Sequence, residues 1–167
     1  MNQIETTSDT AVVATLRGTV DNTLERVFDF ITVDDVVLAI LTGPTALENY
    51  EIVTGPWGRP GASRWLNFRS GLRAQETIDT HIRPHLYGYH LANFSGDVGT
   101  LTDLATSQWT FTPFGTRTHV TWTYTWRPQD PQRLDELRQW VSQTWLAWMT
   151  STFEETQRLL QRDPLGP

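Results

Sequence analysis

The clearest pattern of apolar and polar positions lies in the last long stretch of the chain, residues 130–162. Asp130 followed by Pro131 is typical of a helix start, because aspartate caps the first amide groups and proline suits the first helical position. No glycine or proline follows until Pro164. At 100° per residue the apolar side chains occupy one arc roughly 160° wide, more than a two-helix contact needs. The pattern therefore predicts one long amphipathic helix that packs against a sheet.

Alternating patterns in the rest of the chain predict seven strands. The first covers residues 11–20, and two short amphipathic helices follow it at 24–31 and 34–41. Six further strands, separated by turns rich in glycine and proline, are predicted at 46–53, 64–69, 72–82, 86–94, 104–112 and 116–126. Strands and helices grouped in this order predict an α+β fold. We expect a curved seven-stranded antiparallel sheet wrapped around the long carboxy-terminal helix, with two short helices after the first strand.

The turn between the third and fourth predicted strands indicates their register. A three-residue loop at 69–71, with Gly71 at a position of positive φ, is a common hairpin connection. It pairs Phe68 with Leu72 and, further along, Arg64 with Glu76. A two-residue loop would instead pair apolar faces with polar ones. The sequence therefore predicts that Arg64 and Glu76 are neighbours on the inner, mostly apolar face of the sheet.

The same alternation places many aromatic side chains on that inner face, facing the long helix. It also places Ile82 inside and His81 outside. An aromatic lining with a few polar tips is typical of a pocket for mostly apolar small molecules, although a solid core of large rings is an alternative. The predicted ligand contacts are Arg64, Leu66, Phe68, Glu76, Tyr87, Tyr89, Trp109, Phe111, Trp122, Tyr124, Trp145, Trp148, Met149 and Thr152.

Composition removes several classes of function. The 167 residues fit one domain, and a net charge of −6 argues against a nucleic-acid partner. The amino terminus lacks the features of a signal peptide, and no apolar run is long enough to insert into a membrane, so we expect a cytoplasmic protein. Without cysteine there is no thiolate chemistry, and all 13 basic residues are arginine, which excludes a lysine Schiff base. The oligomeric state is left open.

Histidines and one loop need separate consideration. His81 and His90 flank the turn at Pro84 on the predicted outer face, and no carboxylate converges on them by spacing. We therefore expect neither a metal site nor a cofactor, and Asp79 to be solvated. The loop from Gly55 to Gly61, with Trp57 as a lid, is either a gate over the pocket or an ordinary hairpin connection.

Several short motifs resemble one known superfamily. They are Gly61-Ala62-Ser63-Arg64, Ser70-Gly71-Leu72, Glu76-Thr77-Ile78 and Tyr87-Gly88-Tyr89, followed later by Trp109 to Pro113. Together with the order of elements, they resemble the START-like (Bet v 1-like, SRPBCC) superfamily and its polyketide cyclase/dehydrase branch. The resemblance implies that residues 1–167 form a single helix-grip domain with a hydrophobic cavity. Members bind lipids, hormones or polyketides, and some cyclise or dehydrate them.

Three functions follow as hypotheses. The first is a binding module that holds an apolar or amphipathic small molecule, lipid-, polyketide- or aromatic-like, between sheet and helix. The second is a cyclase, aromatase or dehydratase in which Glu76, Tyr87 or Tyr89 moves protons. The third is an interaction module whose surface carries the function. A cavity into which Glu and Tyr tips converge favours the enzyme, whereas a filled core favours the interaction module.

Overall fold

An antiparallel sheet of eight strands curves around the carboxy-terminal helix in the computed structural model, which describes residues 3–8 and 10–161. The strands lie in the order β1-β2-β8-β7-β6-β5-β4-β3, so that β1 and β3 form the two edges. Their bounds are β1 (Gln3–Ser8), β2 (Ala11–Val20), β3 (Leu47–Thr54), β4 (Ser63–Phe68), β5 (Arg73–Ile82), β6 (Leu86–Ala92), β7 (Thr102–Phe114) and β8 (Arg117–Pro128).

The helices cover the concave face and one end of the sheet. Two short helices, α1 (Leu24–Thr32) and α2 (Val36–Ile40), follow β2, and α3 (Gly96–Leu101) connects β6 to β7. The long helix, residues 134–161, consists of α4 (Leu134–Trp140), a π turn (Val141–Trp145) and α5 (Leu146–Gln161). A 3-10 turn precedes it, and the Asp130 carboxylate accepts a hydrogen bond from the Gln132 amide at 2.9 Å, as the sequence predicts. Among the described residues, no helix is both long and apolar enough to cross a membrane.

The predicted fold class is confirmed. All seven predicted strands are present, and the long helix lies against the sheet. The structure adds β1, which pairs with β2 at the edge of the sheet. An edge strand needs only backbone hydrogen bonds on one side, so its sequence need not show the alternation by which buried strands are recognised.

The long helix packs closely on the sheet at Gly18 of β2, which has no side chain. A Cβ atom at Gly18 of β2 would lie 2.2 Å from Cε1 of Phe153. Phe153 is buried, and on the same face of the helix Leu137, Val141 and Met149 are also buried. The absence of a side chain at Gly18 therefore leaves the space that the Phe153 ring occupies against β2.

One predicted orientation on β5 is wrong. The pairing of β5 with β6 shifts between Ile78 and Thr80, as in a β-bulge. One extra residue reverses the alternation beyond it. His81 therefore packs edge-on against Phe28 of α1, with ring centroids 5.1 Å apart, whereas Ile82 is 55% exposed. The sequence pattern assigned the opposite faces to these two residues, because it assumed an unbroken period of two.

Candidate functional site

A cavity lies between the concave face of the sheet, the α1–α2 region and the long helix. The volume of this cavity is about 70 Å³. By this measure one water needs roughly 10–15 Å³, so the space suits about five waters. Thirteen of the fourteen predicted ligand contacts line it: Arg64, Leu66, Phe68, Glu76, Tyr87, Tyr89, Trp109, Trp122, Tyr124, Trp145, Trp148, Met149 and Thr152.

The ion pair predicted from the hairpin register is present. Arg64 on β4 lies opposite Glu76 on β5, and its Nε donates to Glu76 Oε2 at 2.5 Å. The two residues are only 1% and 4% exposed. A charge-assisted bond of this kind compensates two charges that would be costly to bury separately. The cavity therefore contains a neutralised pair of charges on an otherwise apolar wall.

Arg64 also connects the cavity wall to two outer segments. Its Nη1 donates to the carbonyl oxygen of Asp34, between α1 and α2. Its guanidinium lies 3.9 Å from the ring centroid of Trp57 and 5.2 Å from that of Tyr50. Trp57 belongs to the loop at 55–61 and does not line the cavity itself. Whether that loop acts as a gate stays a prediction, but a movement of Arg64 would alter its contact with the Trp57 ring.

A row of hydroxyl groups crosses the middle of the sheet. Tyr89 on β6, Ser107 on β7 and Tyr124 on β8 are successive cross-strand partners. The hydroxyl oxygens of Tyr89 and Tyr124 share a hydrogen bond of 2.7 Å, and Ser107 Oγ accepts from Nε1 of Trp122 at 2.9 Å. This row gives the aromatic lining its polar centre.

All three cavity tyrosines keep their protons at neutral pH. Burial raises the pKa of Tyr87 and of Tyr124 well above the ordinary value, and it raises the pKa of Tyr89 as well. The nearby Glu76 carboxylate adds to the increase in each case. These phenols are therefore hydrogen-bond donors and acids, and they cannot serve as bases near pH 7.

Three oxygen atoms in the lining have no hydrogen-bond partner among the described residues. They are Oε1 of Glu76, the hydroxyl of Tyr87 and the side-chain hydroxyl of Thr152, whose backbone carbonyl is used by Thr156. All three residues are buried and border the cavity. Because buried polar groups are normally paired, such oxygens are available for a hydrogen bond to a polar group of a ligand or to a water.

Comparisons with known proteins agree with the architecture. No protein-family model and no curated protein sequence matches the chain. Among solved structures, norcoclaurine synthase from Thalictrum flavum, in complex with dopamine and hydroxybenzaldehyde, is similar over 93% of this chain and 90% of its own, with 14% identity and a TM-score of 0.72. The major latex-like protein 151 from Panax ginseng is similar over 94% of this chain and 99% of its own, with 11% identity and a TM-score of 0.71.

Ara h 8.0201 is a third similar structure, over 91% of this chain and 99% of its own, with 15% identity and a TM-score of 0.68. The chain has the Bet v 1-like fold. This confirms the helix-grip fold that the resemblance of the sequence motifs implies. The activity of these neighbours is not carried over by a likeness in fold at such low identity.

One predicted contact lies outside the cavity. Phe111 is buried, but it packs edge-on against Phe28 of α1 at 5.4 Å and stacks on Trp109 at 6.2 Å. It does not line the cavity. The alternation on β7 assigns Phe111 correctly to the inner face, yet α1 covers this part of the sheet, so Phe111 belongs to the core.

Sequence reasoning missed one wall of the cavity. One end of the cavity is closed by side chains from α1, from α2 and from residues 41–45, which follow α2. They are Ile31, Val36, Val37, Ile40, Leu41 and Thr45. The predicted short amphipathic helices were the available signal, because their apolar faces must be covered by something. The pattern did not indicate that a cavity lies between those faces and the sheet.

The π turn in the long helix was also missed, since no glycine or proline marks it. It ends at Trp145, whose ring meets Tyr124 edge-on at 5.1 Å and lies 5.2 Å from Trp148. The extra residue in such a turn rotates the following side chains, and π turns are frequent at functional sites. In this chain the turn presents Trp145 and Trp148 to the cavity.

On the outer face, His90 forms an interaction with Asp79 that the sequence did not predict. The ring Nδ1 of His90 is 2.8 Å from a carboxylate oxygen of Asp79. Asp79 is therefore paired as well as solvated. Within the described ranges, no group of three His, Cys, Asp or Glu residues could hold a metal ion.

Proposed function

We propose that the protein binds a compact, mostly apolar aromatic molecule in the cavity between the sheet and the long helix. The observation that carries the proposal is the combination of an aromatic lining with three unpartnered oxygens, on Glu76, Tyr87 and Thr152. Aromatic walls stack on a planar ring, and the few polar atoms fix its orientation.

The size of the cavity supports a compact ligand. Pockets that enclose drug-sized molecules have volumes of about 300–1,000 Å³, several times the 70 Å³ that is available here. A single ring with short substituents needs only small side-chain movements to enter. A fatty acid or an extended polyketide requires the α1–α2 region or the loop at 55–61 to move.

The charges support a neutral ligand with a donor group. Glu76 Oε1 is an acceptor without a partner, so it favours a hydroxyl or an N–H of the ligand. A ligand ammonium is less suitable, because Arg64 lies against the same carboxylate and already balances its charge. The Tyr87 hydroxyl, which stays protonated, suits an acceptor oxygen on the same ligand.

Binding of 4-hydroxybenzaldehyde provides the test. This single-ring molecule carries both a donor and an acceptor, and hydroxybenzaldehyde is a ligand in the Thalictrum flavum complex. We expect it to raise the melting temperature and to quench tryptophan emission, since Trp109, Trp122, Trp145 and Trp148 border the cavity. Oleate at the same concentration should have a much smaller effect.

A matched pair of variants locates the site. Thr152→Leu adds volume inside the cavity, whereas Ser151→Leu adds the same kind of side chain at the neighbouring exposed position. We expect Thr152→Leu to abolish the response and Ser151→Leu to retain it. Equal responses in both variants, or no response in the wild type to any compact aromatic compound, would contradict the proposal.

The cyclase or dehydratase hypothesis stays as the second candidate. It is favoured by Glu and Tyr tips that converge on the cavity, which is the feature that distinguishes it from simple binding. The raised pKa values of Tyr87 and Tyr89 limit these tyrosines to the role of donors. Among the three predicted catalytic residues, Glu76 is then the one that can accept a proton.

A further inference from the structure

The inner face of the sheet brings a carboxylate close to the pair of bonded tyrosines. Glu76 is the cross-strand partner of Leu91, and Tyr89 lies two residues before Leu91 on the same face of β6. Diagonal neighbours of this kind lie about 7–8 Å apart, and their Cβ atoms are somewhat closer. Long side chains at that separation can both reach a small molecule that lies between them. The free oxygen of Glu76 and the tyrosine hydroxyls can therefore act on one ligand.

The tyrosine pair can supply a proton to a ligand oxygen. Of the two hydroxyls that share the 2.7 Å bond, one donates and the other accepts. The accepting tyrosine keeps its own O–H, which is directed either to Ser107 or to a ligand oxygen. Ser107 Oγ already accepts from Trp122. Donors fixed in advance within an apolar cavity are the groups that stabilise negative charge developing on an oxygen.

We propose that the cavity catalyses the reversible removal of a proton from the carbon next to a carbonyl group. The inference rests on the proposed function, because the carbonyl compound must first bind. Glu76 Oε1 takes the proton, the C–H electrons form a carbon–carbon double bond, and the carbonyl electrons move onto oxygen. That oxygen accepts a hydrogen bond from the Tyr89–Tyr124 pair. Return of the proton to the same carbon gives exchange with solvent, and return at another atom gives an isomer. No oxidant, reductant or second substrate is consumed.

The surroundings of the two groups suit these roles. A carboxylate can act as base only if one oxygen is free, and Arg64 occupies Oε2 while leaving Oε1 unbonded among the described residues. The hydroxyls of Tyr89 and Tyr124 share a hydrogen bond inside the cavity, and burial raises the pKa of both, so both remain donors near neutral pH. The aromatic walls hold the carbonyl compound in an orientation in which the C–H bond next to the carbonyl faces Glu76, and they stack on the planar enolate that forms when the proton leaves.

Deuterium exchange into phenylacetone tests this proposal. Its methylene group lies between a ring and a carbonyl, and loss of the methylene signal in D₂O is followed by proton NMR. We expect the wild-type protein to accelerate exchange above the rate in buffer. Glu76→Gln should lower the protein-catalysed rate by at least about 100-fold, the lower end of what a general base contributes. Tyr124→Phe should lower it by roughly 100-fold, because it removes one of the two hydroxyls of the hydrogen-bonded pair that stabilises the oxygen.

The control is Asp79→Asn, which makes the same carboxylate-to-amide change as Glu76→Gln. Asp79 lies three residues further along β5, on the outer face, where it contacts His90. It should exchange phenylacetone at the wild-type rate. Binding of phenylacetone is measured in parallel from the shift in melting temperature. If Glu76→Gln does not fold, the Tyr124→Phe variant, checked by circular dichroism, carries the test.

The outcomes separate the two proposals. Binding of phenylacetone without exchange above the buffer rate overturns the catalytic inference and leaves the binding function standing. Exchange that persists in Glu76→Gln overturns the assignment of Glu76 as the base. Exchange that is unchanged in Tyr124→Phe overturns the role of the tyrosine pair. Absence of binding and of exchange for phenylacetone and for 4-hydroxybenzaldehyde overturns both proposals.

Discussion

Removal of one partner of the Arg64–Glu76 pair should destabilise the protein more than removal of both. The two side chains are 2% and 5% exposed and share a bond of 2.5 Å. Arg64→Met leaves the Glu76 carboxylate buried without its cation, and Glu76→Leu leaves the guanidinium without its anion. An unpaired buried charge typically costs about 3–5 kcal/mol, whereas an apolar replacement of both partners is often close to neutral.

The structure places the expected costs within that range. Because Glu76 borders a cavity that water can enter, we expect Glu76→Leu to cost about 3 kcal/mol. Arg64→Met should cost more, since it also loses the bond to the Asp34 carbonyl and the stacking on Trp57, the latter worth about 0.5–2 kcal/mol. The double variant should cost about 2 kcal/mol or less, below either single variant.

Urea unfolding of the three variants measures these free energies, and an exposed pair provides the control. Arg83 and Asp29 form a two-bond ion pair, with both bonds at 2.7 Å, but their side chains are 53% and 52% exposed. Arg83→Met should therefore cost no more than about 1 kcal/mol. Costs at Arg64 that match those at Arg83, or a double variant whose cost equals the sum of the singles, would refute the reasoning from burial.

Two further predictions concern the tyrosines and the contact between helix and sheet. The pKa is raised at all four tyrosines, so absorbance at 295 nm should show little ionisation near pH 10 in the folded protein and about half ionisation in urea. Since the folded state then holds more protons than the unfolded state, the free energy of unfolding should fall as pH rises past about 10. A normal native titration would contradict this. Gly18→Ala should lower the free energy of unfolding in urea by about 1–3 kcal/mol, because the added Cβ would collide with the Phe153 ring. In a Phe153→Leu background the same glycine substitution should cost less. Equal costs in both backgrounds would contradict the contact.

Short turns made part of the site predictable. The loop at 69–71 permits one register that keeps Phe68 and Leu72 on the buried face, and that register places Arg64 opposite Glu76. The same reasoning from alternation gives wrong orientations where β5 pairs with β6, because one extra residue lies in β5. The β-bulge after Ile78 leaves no mark in residue type, and it reverses His81 and Ile82. Alternation therefore predicts orientation reliably only up to the first irregularity in a strand.

The tyrosine pair shows why the rest of the site could not be predicted from the sequence. Phe114 pairs with Arg117, so a two-residue turn joins β7 to β8 and places Ser107 opposite Tyr124, whereas the sequence pattern predicts a three-residue turn at 113–115. The connection from β6 to β7 is longer and contains α3, and a connection of that length does not determine which residue of β7 faces Tyr89. A shift of two residues would keep every apolar side chain on the inner face and still separate the two hydroxyls. Burial alone therefore selects the face but not the partner, and the hydrogen bond between Tyr89 and Tyr124, on which the proposed proton transfer depends, is a property of the assembled sheet.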